Sequence, residues 1–286
     1  MANAWEELEN RYYEYLKQLY GKYHLIEPYG KSDSTKADIK IESLKNEEFF
    51  IEVKASQSQC CQFVLFPNEE TKKFDFSKAN KVPLSKNCKR IIAYMNALYN
   101  KYHKVTKKGI PVNVDTSILY GLVQDFYSVK NVKFFMTEGT DFIIFPSDSF
   151  SDYFTIKAFY RRKPSGSSEP NELNNNSEIL QGLNDDDISG IIEYRTIGNK
   201  IRCFFHSDNN LDKKKMICAH YTYQFKDNKY SKMVSKSKNY VFEIRRLSNT
   251  SNPNVICQLS LKTTVQNKND LQIFENFMSK PINYLL

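Results

Sequence analysis

Two carboxylates and a lysine stand in the first quarter of the chain at a spacing that suits metal-assisted chemistry. Asp38 is followed, after thirteen residues, by Glu52, and Lys54 comes two positions later. Carboxylate oxygens are ligands that Mg²⁺ prefers, and bound Mg²⁺ polarises a phosphate oxygen and lowers the pKa of water. A neighbouring ammonium can orient or deprotonate that water and offset charge that builds on the phosphate. These three residues therefore predict a centre for phosphodiester hydrolysis.

Two short extended runs separated by a charged turn would position the three side chains, and they cover residues 38–41 and 49–54. In an antiparallel pair, Asp38 at the head of one strand lies beside Glu52 on the next. Because side chains alternate along a strand, Glu52 and Lys54 point the same way while Val53 points to the core. We expect the backbone carbonyl of Val53 to be a further metal ligand.

The rest of the sequence predicts one helix before the candidate site, one after it, and many strands downstream. Apolar residues at helical spacing predict helices over residues 4–20, ending at Gly21, and over about 86–102. Residues 61–66 are apolar enough for a strand or for the start of a buried helix. Strand-like runs cover residues 120–123, 132–136, 142–146, 154–160, 191–194, 201–205, 221–225, 240–244 and 255–259, and a short helix is predicted at 271–278.

This arrangement of helix, strands and helix around Asp38, Glu52 and Lys54 resembles the PD-(D/E)XK nuclease superfamily, which includes most type II restriction endonucleases. Ala37 stands where the superfamily usually has a proline. The resemblance covers roughly residues 1–105. It implies that the two carboxylates hold Mg²⁺ and that the lysine assists the attacking water.

The resemblance also implies roles for nearby glutamines and glutamates. Gln57 and Gln62 lie just after the lysine, where several branches of the superfamily have a glutamine that contacts the scissile phosphate or the water. Some branches place a glutamate of the first helix near the metal. Glu6, Glu7 and Glu9 are candidates for that position, with Glu9 first.

From the resemblance and the strand pattern we predict an α/β (α+β) fold in three parts. A restriction-endonuclease-like core occupies residues 1–164, a polar loop or linker occupies 165–187, and a β-rich DNA-recognition region occupies 188–286. The formal net charge of +8 favours an anionic partner.

A basic triplet followed by serines predicts a loop that contacts DNA. Arginine can read guanine in the major groove, and serine can hold phosphates. The predicted DNA-binding residues are Arg161, Arg162, Lys163, Ser165, Ser167 and Ser168, with Lys31 and Lys36 beside the metal site. The alternative interpretation is a solvated strand end, because charged runs are commonly solvated.

Other patterns narrow the class of protein. The six cysteines form no C-x-x-C pair, which argues against a structural zinc site and fits reduced thiols in the cytoplasm. No run approaches the ~20 apolar residues of a membrane span, and no signal peptide is recognisable. Residues 30–34 lack the spacing of a phosphate-binding P-loop, so we expect no nucleotide cofactor.

Together these patterns predict a Mg²⁺-dependent endodeoxyribonuclease that cuts duplex DNA at a short specific sequence, as a type II restriction endonuclease does. A homodimer is expected, because symmetric sites are commonly cut by two-fold dimers. One alternative is a structure-specific repair or junction nuclease of the same fold. Another is a non-catalytic nucleic-acid-binding protein in which the basic β-rich half binds the nucleic acid and the carboxylates have no catalytic role.

Overall fold

A computed structural model of the chain describes residues 4–30, 35–42, 47–139, 142–164, 166–198, 200–218, 220–235 and 239–278. The chain divides into two compact units. One unit, here called the core unit, lies within residues 3–162 and 253–286, and the other, the inserted unit, lies within residues 163–252. The β-rich region predicted over 188–286 is therefore split, because its last part returns to the core unit.

Helices and strands follow one another along the whole chain. The first are α1 (Ala4–Tyr20), β1 (Leu25–Pro28), β2 (Ile39–Glu42), β3 (Glu48–Lys54), β4 (Gln57–Asn68), β5 (Lys73–Phe76), α2 (Lys86–Ala97), α3 (Tyr99–Tyr102), β6 (Ile110–Val112), α4 (Thr116–Ser128), β7 (Val132–Glu138), β8 (Phe142–Pro146), α5 (Phe150–Tyr153) and β9 (Phe154–Pro164). Then come β10 (Ser167–Ser168), α6 (Glu172–Asp185), β11 (Ile191–Ile197), β12 (Lys200–Ser207), β13 (Lys215–Ile217), β14 (Thr222–Lys226), α7 (Lys229–Val234) and β15 (Tyr240–Leu247). The last are β16 (Ser251–Leu261) and α8 (Lys268–Met278). In the described ranges, none of the helices combines the length and the apolar character that crossing a membrane requires.

The core unit contains two five-stranded sheets. The first has the order β1-β2-β3-β7-β8, in which β3 and β7 are parallel and the other neighbours are antiparallel. The second has the order β5-β4-β16-β9-β6. Both faces of the first sheet are covered, and residues 49–53 of β3 and 134–137 of β7 are all buried.

The faces of β3 divide the core unit into two hydrophobic clusters. Ile51 and Val53 belong to the cluster that contains the buried Tyr12 of α1. Phe50 belongs to the other cluster, which contains Tyr127 of α4. Because side chains alternate along a strand, the even-numbered residues of β3 face the α4 side of the sheet.

The predicted helix over residues 4–20 is confirmed as α1. It ends before Gly21, whose amide donates to the carbonyl of Lys17, and a Cβ added at Gly21 would lie 2.5 Å from that oxygen. The predicted helix over 86–102 is present as two helices, α2 and α3, which are separated at Leu98 by a non-helical backbone conformation.

Two predictions of secondary structure are wrong. The run 120–123, predicted as a strand, lies inside α4, whose buried Ile118, Leu122 and Val123 follow a helical spacing. The segment 165–187, predicted as a polar loop or linker, contains β10 and the whole of α6.

Helix α6 shows why its polar composition was misleading. The side chain of Asn171 caps its first turn by accepting from the amides of Leu173 and Asn174. Only a narrow stripe of the helix is apolar, with Ile179 and Leu183 buried in the hydrophobic cluster of the inserted unit. A helix that buries so narrow a stripe leaves most of its residues polar.

The inserted unit is built on one antiparallel sheet with the order β11-β12-β15-β14-β13, and β10 pairs with the end of β15. Cys203 and Phe205 of β12 belong to the same hydrophobic cluster as the buried residues of α6. Phe204 faces the other way and packs in a smaller cluster with Val234 of α7. The strands predicted within residues 191–244 are confirmed by β11, β12, β14 and β15.

Candidate active site

Asp38 lies immediately before β2 and is fixed against the neighbouring strand. The pairing of Ile39 with Ile51 places Asp38 beside β3. The backbone N–H of Val53 donates a hydrogen bond to Asp38 Oδ2 over 2.7 Å. The predicted antiparallel arrangement is therefore confirmed, and Asp38 stands next to Glu52.

Glu52 and Lys54 form a buried ion pair on β3. Lys54 Nζ lies 2.5 Å from Glu52 Oε1, and the two side chains are 11% and 6% exposed. The hydroxyl of Thr137 on β7 donates to the carbonyl of Lys54 over 2.7 Å, so the parallel neighbour holds this end of the strand. Lys54 Nζ also lies 5.6 Å from the centre of the Tyr127 ring, within cation–π range.

Burial and a neighbouring carboxylate dominate the electrostatics at Asp38. Burial raises the pKa of Asp38 from its ordinary value of 3.8 to about 7, and the carboxylate of Glu52 adds to the rise. The ammonium groups of Lys54 and Lys130 and the N–H of Val53 act in the opposite direction without outweighing it. Burial alone would lower the pKa of Lys54, but Glu52 and Asp38 raise it above its ordinary value, so Lys54 stays protonated at neutral pH.

Glu9 of α1 belongs to the same electrostatic cluster. Burial raises its pKa from 4.5 to about 8, followed by the charge of Asp38. Glu52 and Glu6 also raise it, whereas Lys54 lowers it. Glu9, the first candidate among the glutamates of the first helix, therefore lies within electrostatic range of both Asp38 and Glu52.

Two further residues at the site were missed in the sequence. Lys130, just after α4, has its Nζ 3.9 Å from Glu52 Oε2 and only 9% of its side chain exposed. The ring of Tyr127 lies 5.1 Å from that ammonium, and the Tyr127 hydroxyl donates to the carbonyl of Cys60 over 2.7 Å. Only the parallel pairing of β3 with β7 brings these residues together, and no local sequence signal reports a contact across about eighty residues.

The donor set at the centre suits a hard divalent cation, which takes oxygen ligands. Glu52 Oε2 is buried and has no hydrogen-bond partner. The raised pKa of Asp38 reflects its burial beside the carboxylate of Glu52. Among the residues that the structure describes, no three side chains of His, Cys, Asp or Glu are arranged around a metal position. Asp38 and Glu52 could therefore hold a cation together with a backbone carbonyl and water.

Comparison with known proteins identifies the family. No family model matches the chain, and no curated protein matches it. Among solved structures it is similar to HhaI endonuclease in complex with DNA, with 32% sequence identity and a TM-score of 0.81. The similarity covers 97% of this chain and 100% of the other. The chain belongs to the HhaI endonuclease family.

Nearly the whole chain shares the fold of the HhaI endonuclease family. Because 97% of 286 residues are covered, the match includes the inserted unit as well as the core unit. The inserted unit is thus part of the fold shared with HhaI endonuclease and not an addition particular to this chain.

Gln57 and Gln62 lie on the exposed side of β4 in this member of the HhaI endonuclease family. The register of β4 with β16 shifts by one residue between Gln59 and Gln62, so that Cys60 and Cys61 are both buried. This bulge keeps the two glutamines on one face although they are five positions apart, an offset that places residues of a regular strand on opposite faces. Their catalytic role stays a prediction.

The residues predicted to form a flexible DNA-contacting loop are largely in strands. Residues 161–163 belong to the end of β9, and Ser167 and Ser168 form β10. Ser167 Oγ accepts from Arg245 Nε over 3.2 Å, and Ser168 Oγ accepts from Arg246 Nε over 3.3 Å. The loop prediction is therefore corrected, because pairing with β15 orders this segment.

The remaining predicted DNA-binding residues differ in exposure. Arg162 is exposed, whereas Arg161 and Lys163 are half-buried. Lys36 is exposed and its ammonium lies 4.6 Å from the centre of the Tyr29 ring. The predictions for Lys31 and Ser165 lie outside the described residues.

Proposed function

We propose that this chain is a type II restriction endonuclease that hydrolyses duplex DNA at a short specific sequence with Mg²⁺, through an active centre of the PD-(D/E)XK type. The observation that supports it most is the convergence of Asp38, Glu52 and Lys54 in a chain of the HhaI endonuclease family. HhaI endonuclease was solved in complex with DNA, and we extend that substrate class to this chain.

In the proposed centre, Asp38, Glu52 and the carbonyl of Val53 hold Mg²⁺. The buried Glu52 Oε2 without a hydrogen bond and the raised pKa of Asp38 are the features that fit this ion. When bound, Mg²⁺ supplies Lewis-acid polarisation of a phosphate oxygen and lowers the pKa of water.

Lys54 has a narrower role in this proposal than its position in the sequence suggests. Because its pKa is raised, its ammonium carries a proton at neutral pH and cannot act there as a base. Lys54 instead donates hydrogen bonds and positive charge to the phosphate as negative charge builds on it. The ion pair with Glu52 and the ring of Tyr127 hold the ammonium in place for that task.

DNA contacts by Lys31, Lys36, Arg161, Arg162, Lys163, Ser165, Ser167 and Ser168 are also part of the proposal. Arg245 and Arg246 donate to the oxygens of Ser167 and Ser168, which leaves the hydroxyl protons to donate to phosphate oxygens. Exchange of the exposed Arg162 for alanine should weaken binding and reduce its salt dependence.

The decisive experiment is incubation of linear plasmid DNA with the protein in Mg²⁺, with EDTA as the control. Fixed bands are expected from wild type, and loss of cleavage by about 10²-fold or more from Asp38→Ala and Lys54→Ala. The matched controls are Asp148→Ala and Lys133→Ala, which remove exposed charges from the same unit and should cut normally.

Other outcomes point to the alternatives. Cutting confined to branched or flapped DNA indicates a structure-specific nuclease. Salt-dependent binding without Mg²⁺-dependent cleavage indicates a non-catalytic binding protein. Equal cleavage by wild type and by Asp38→Ala contradicts the assigned centre. Light scattering of the protein with and without a DNA duplex tests the proposed homodimer.

A further inference from the structure

Lys130 is a buried lysine whose ammonium is held at one oxygen of the candidate centre. It lies in the turn between α4 and β7, and its amide donates to the carbonyl of Tyr127. Its Nζ donates to the carbonyl of Lys36 over 3.2 Å and lies 4.8 Å from the centre of the Phe126 ring. A lysine side chain loses much conformational freedom when it is buried, so such an arrangement has a cost.

The two oxygens of Glu52 face two different lysines. Oε1 accepts a hydrogen bond from Lys54 over 2.5 Å. Oε2 lies 3.9 Å from Lys130 Nζ, too far for a hydrogen bond, and is buried without a hydrogen-bond partner. Lys130 thus places positive charge near Glu52 Oε2 without donating a hydrogen bond to it.

We propose that Lys130 is a positioning residue that acts as a built-in counter-charge at Glu52 Oε2 and weakens the binding of a divalent cation there when no DNA is bound. The inference rests on the proposed function, since it takes Asp38 and Glu52 as the metal ligands. Negative charge brought by the DNA backbone offsets the ammonium, so that Mg²⁺ and DNA bind cooperatively.

The geometry requires this direction of effect. A fixed positive charge a few ångströms from the Glu52 carboxylate repels any second cation that approaches that carboxylate, and burial weakens the screening by solvent. The carbonyl of Lys36 and the rings of Phe126 and Tyr127 hold the ammonium in place independently of Glu52. Lys130 therefore cannot simply relax into solvent when a metal arrives.

The test is titration of the full chain with Mg²⁺ in the absence of DNA, followed by calorimetry and by thermal stabilisation. Lys130→Met should bind Mg²⁺ at least about tenfold more tightly than wild type. Lys130→Arg, which keeps the charge, should stay close to wild type. Lys133→Met removes an exposed lysine from the same unit and should change the affinity by less than about twofold.

A merely structural lysine would give the opposite result, since its loss would loosen the site and weaken metal binding. Mg²⁺ binding by folded Lys130→Met that is equal to or weaker than that of wild type overturns the proposal. Lys130→Gln provides a second neutral variant, and failure of both neutral variants to fold also overturns it, because the charge would then serve folding. If wild type neither binds Mg²⁺ nor cuts DNA, it is the proposed function that fails.

Discussion

The core unit and the inserted unit each bury two carboxylates beside two basic side chains, and they differ in how completely the charges are neutralised. In the inserted unit, Arg202 Nη1 lies 2.5 Å from Glu243 and 3.1 Å from Glu169. Arg245 Nη1 reaches the same two carboxylates at 2.5 Å from Glu169 and 3.3 Å from Glu243. Every carboxylate in this group contacts both guanidinium groups.

In the core unit the lysines pair with Glu52 and compensate Asp38 less completely. Burial would raise the pKa of Glu169 in the inserted unit, but Arg245 and Arg202 lower it below its ordinary value. At Asp38 the balance is reversed, and the pKa rises to about 7. Arginine presents a fork of donors that satisfies several oxygens, whereas lysine is a compact point charge. We infer that the arginine network stabilises its unit and that the lysine-carboxylate cluster is built to receive a ligand.

The strongest test of this difference between the two units is the substitution Asp38→Asn, which removes the charge of the side chain and keeps its size. Cleavage should fall by about 10²–10⁴-fold. The metal-free protein at pH 8 should become more stable, and its thermal midpoint should rise by about 2–4 °C for each kcal/mol of stability gained. Thermal unfolding in EDTA and plasmid cleavage in Mg²⁺ measure the two effects. If the metal-free variant is less stable than wild type at pH 8, the claim that the charge of Asp38 is incompletely compensated is wrong.

The opposite behaviour is expected of Arg202→Met in the inserted unit. Removal of one partner from a buried ionic network costs about 3–5 kcal/mol, and the stacking of Arg202 on Tyr230, at 3.5 Å, is lost as well. Thermal unfolding should show a fall of roughly 10 °C or more. Arg195→Met, at a half-exposed ion pair with Glu193, is the control and should cost less than about 1 kcal/mol. Equal losses of stability in the two variants would show that the buried network contributes no more than a half-exposed ion pair.

The pH dependence of stability should distinguish the core cluster from ordinary carboxylates. Because the folded-state pKa values of Asp38 and Glu9 are raised, to about 7 and about 8, the folded chain retains protons that the unfolded chain releases. These groups therefore favour the folded state below about pH 4 and cost stability as the pH rises from there to about 8.

Thermal unfolding in EDTA between pH 5 and 8.5 measures this contribution, and Mg²⁺ should restore more stability at pH 8 than at pH 6. In Asp38→Asn and Glu9→Gln the slope against pH should be flatter than in wild type. An unchanged slope in both variants would mean that neither carboxyl group has the raised pKa.

The smallest expected effect is that of Tyr127→Phe, which separates the hydroxyl from the ring. The variant loses the hydrogen bond to the Cys60 carbonyl and should lose about 1 kcal/mol of stability, while the ring remains beneath both lysines. Cleavage should stay within about twofold of wild type. Tyr127→Leu removes the ring as well, and if it cuts DNA as fast as Tyr127→Phe, the ring does not position the lysines.

The candidate active centre was predictable because the placement of its residues follows from local features of strand structure. Asp38 lies at the head of a strand whose antiparallel partner carries Glu52, and few residues of the sequence separate the two strands, so the antiparallel register and the alternation of side chains bring them together. The helix of residues 4–20 followed from its apolar spacing, which tertiary packing reinforces at Tyr12.

The parts that could not be predicted depend on contacts remote in sequence. Lys130 joins the site because β3 and β7 pair in parallel, and no local sequence pattern identifies β7 as the partner of β3. Helix α4 was missed at residues 120–123 because a short apolar run satisfies both a buried strand and a buried helix. Helix α6 was missed because its buried stripe is narrow.

The position of β16 has a consequence for the order in which the core unit is synthesised and folds. This strand is the middle one of the second sheet, between β4 and β9, yet it is synthesised after the roughly ninety residues of the inserted unit. Helix α8, whose Phe274 packs on Phe134, comes later still. A nascent chain that already carries Asp38, Glu52 and Lys54 thus lacks the centre of one sheet and a cover of the other until β16 and α8 have been synthesised. The order of synthesis alone therefore delays the completion of the second sheet and the covering of the first until these residues have been made.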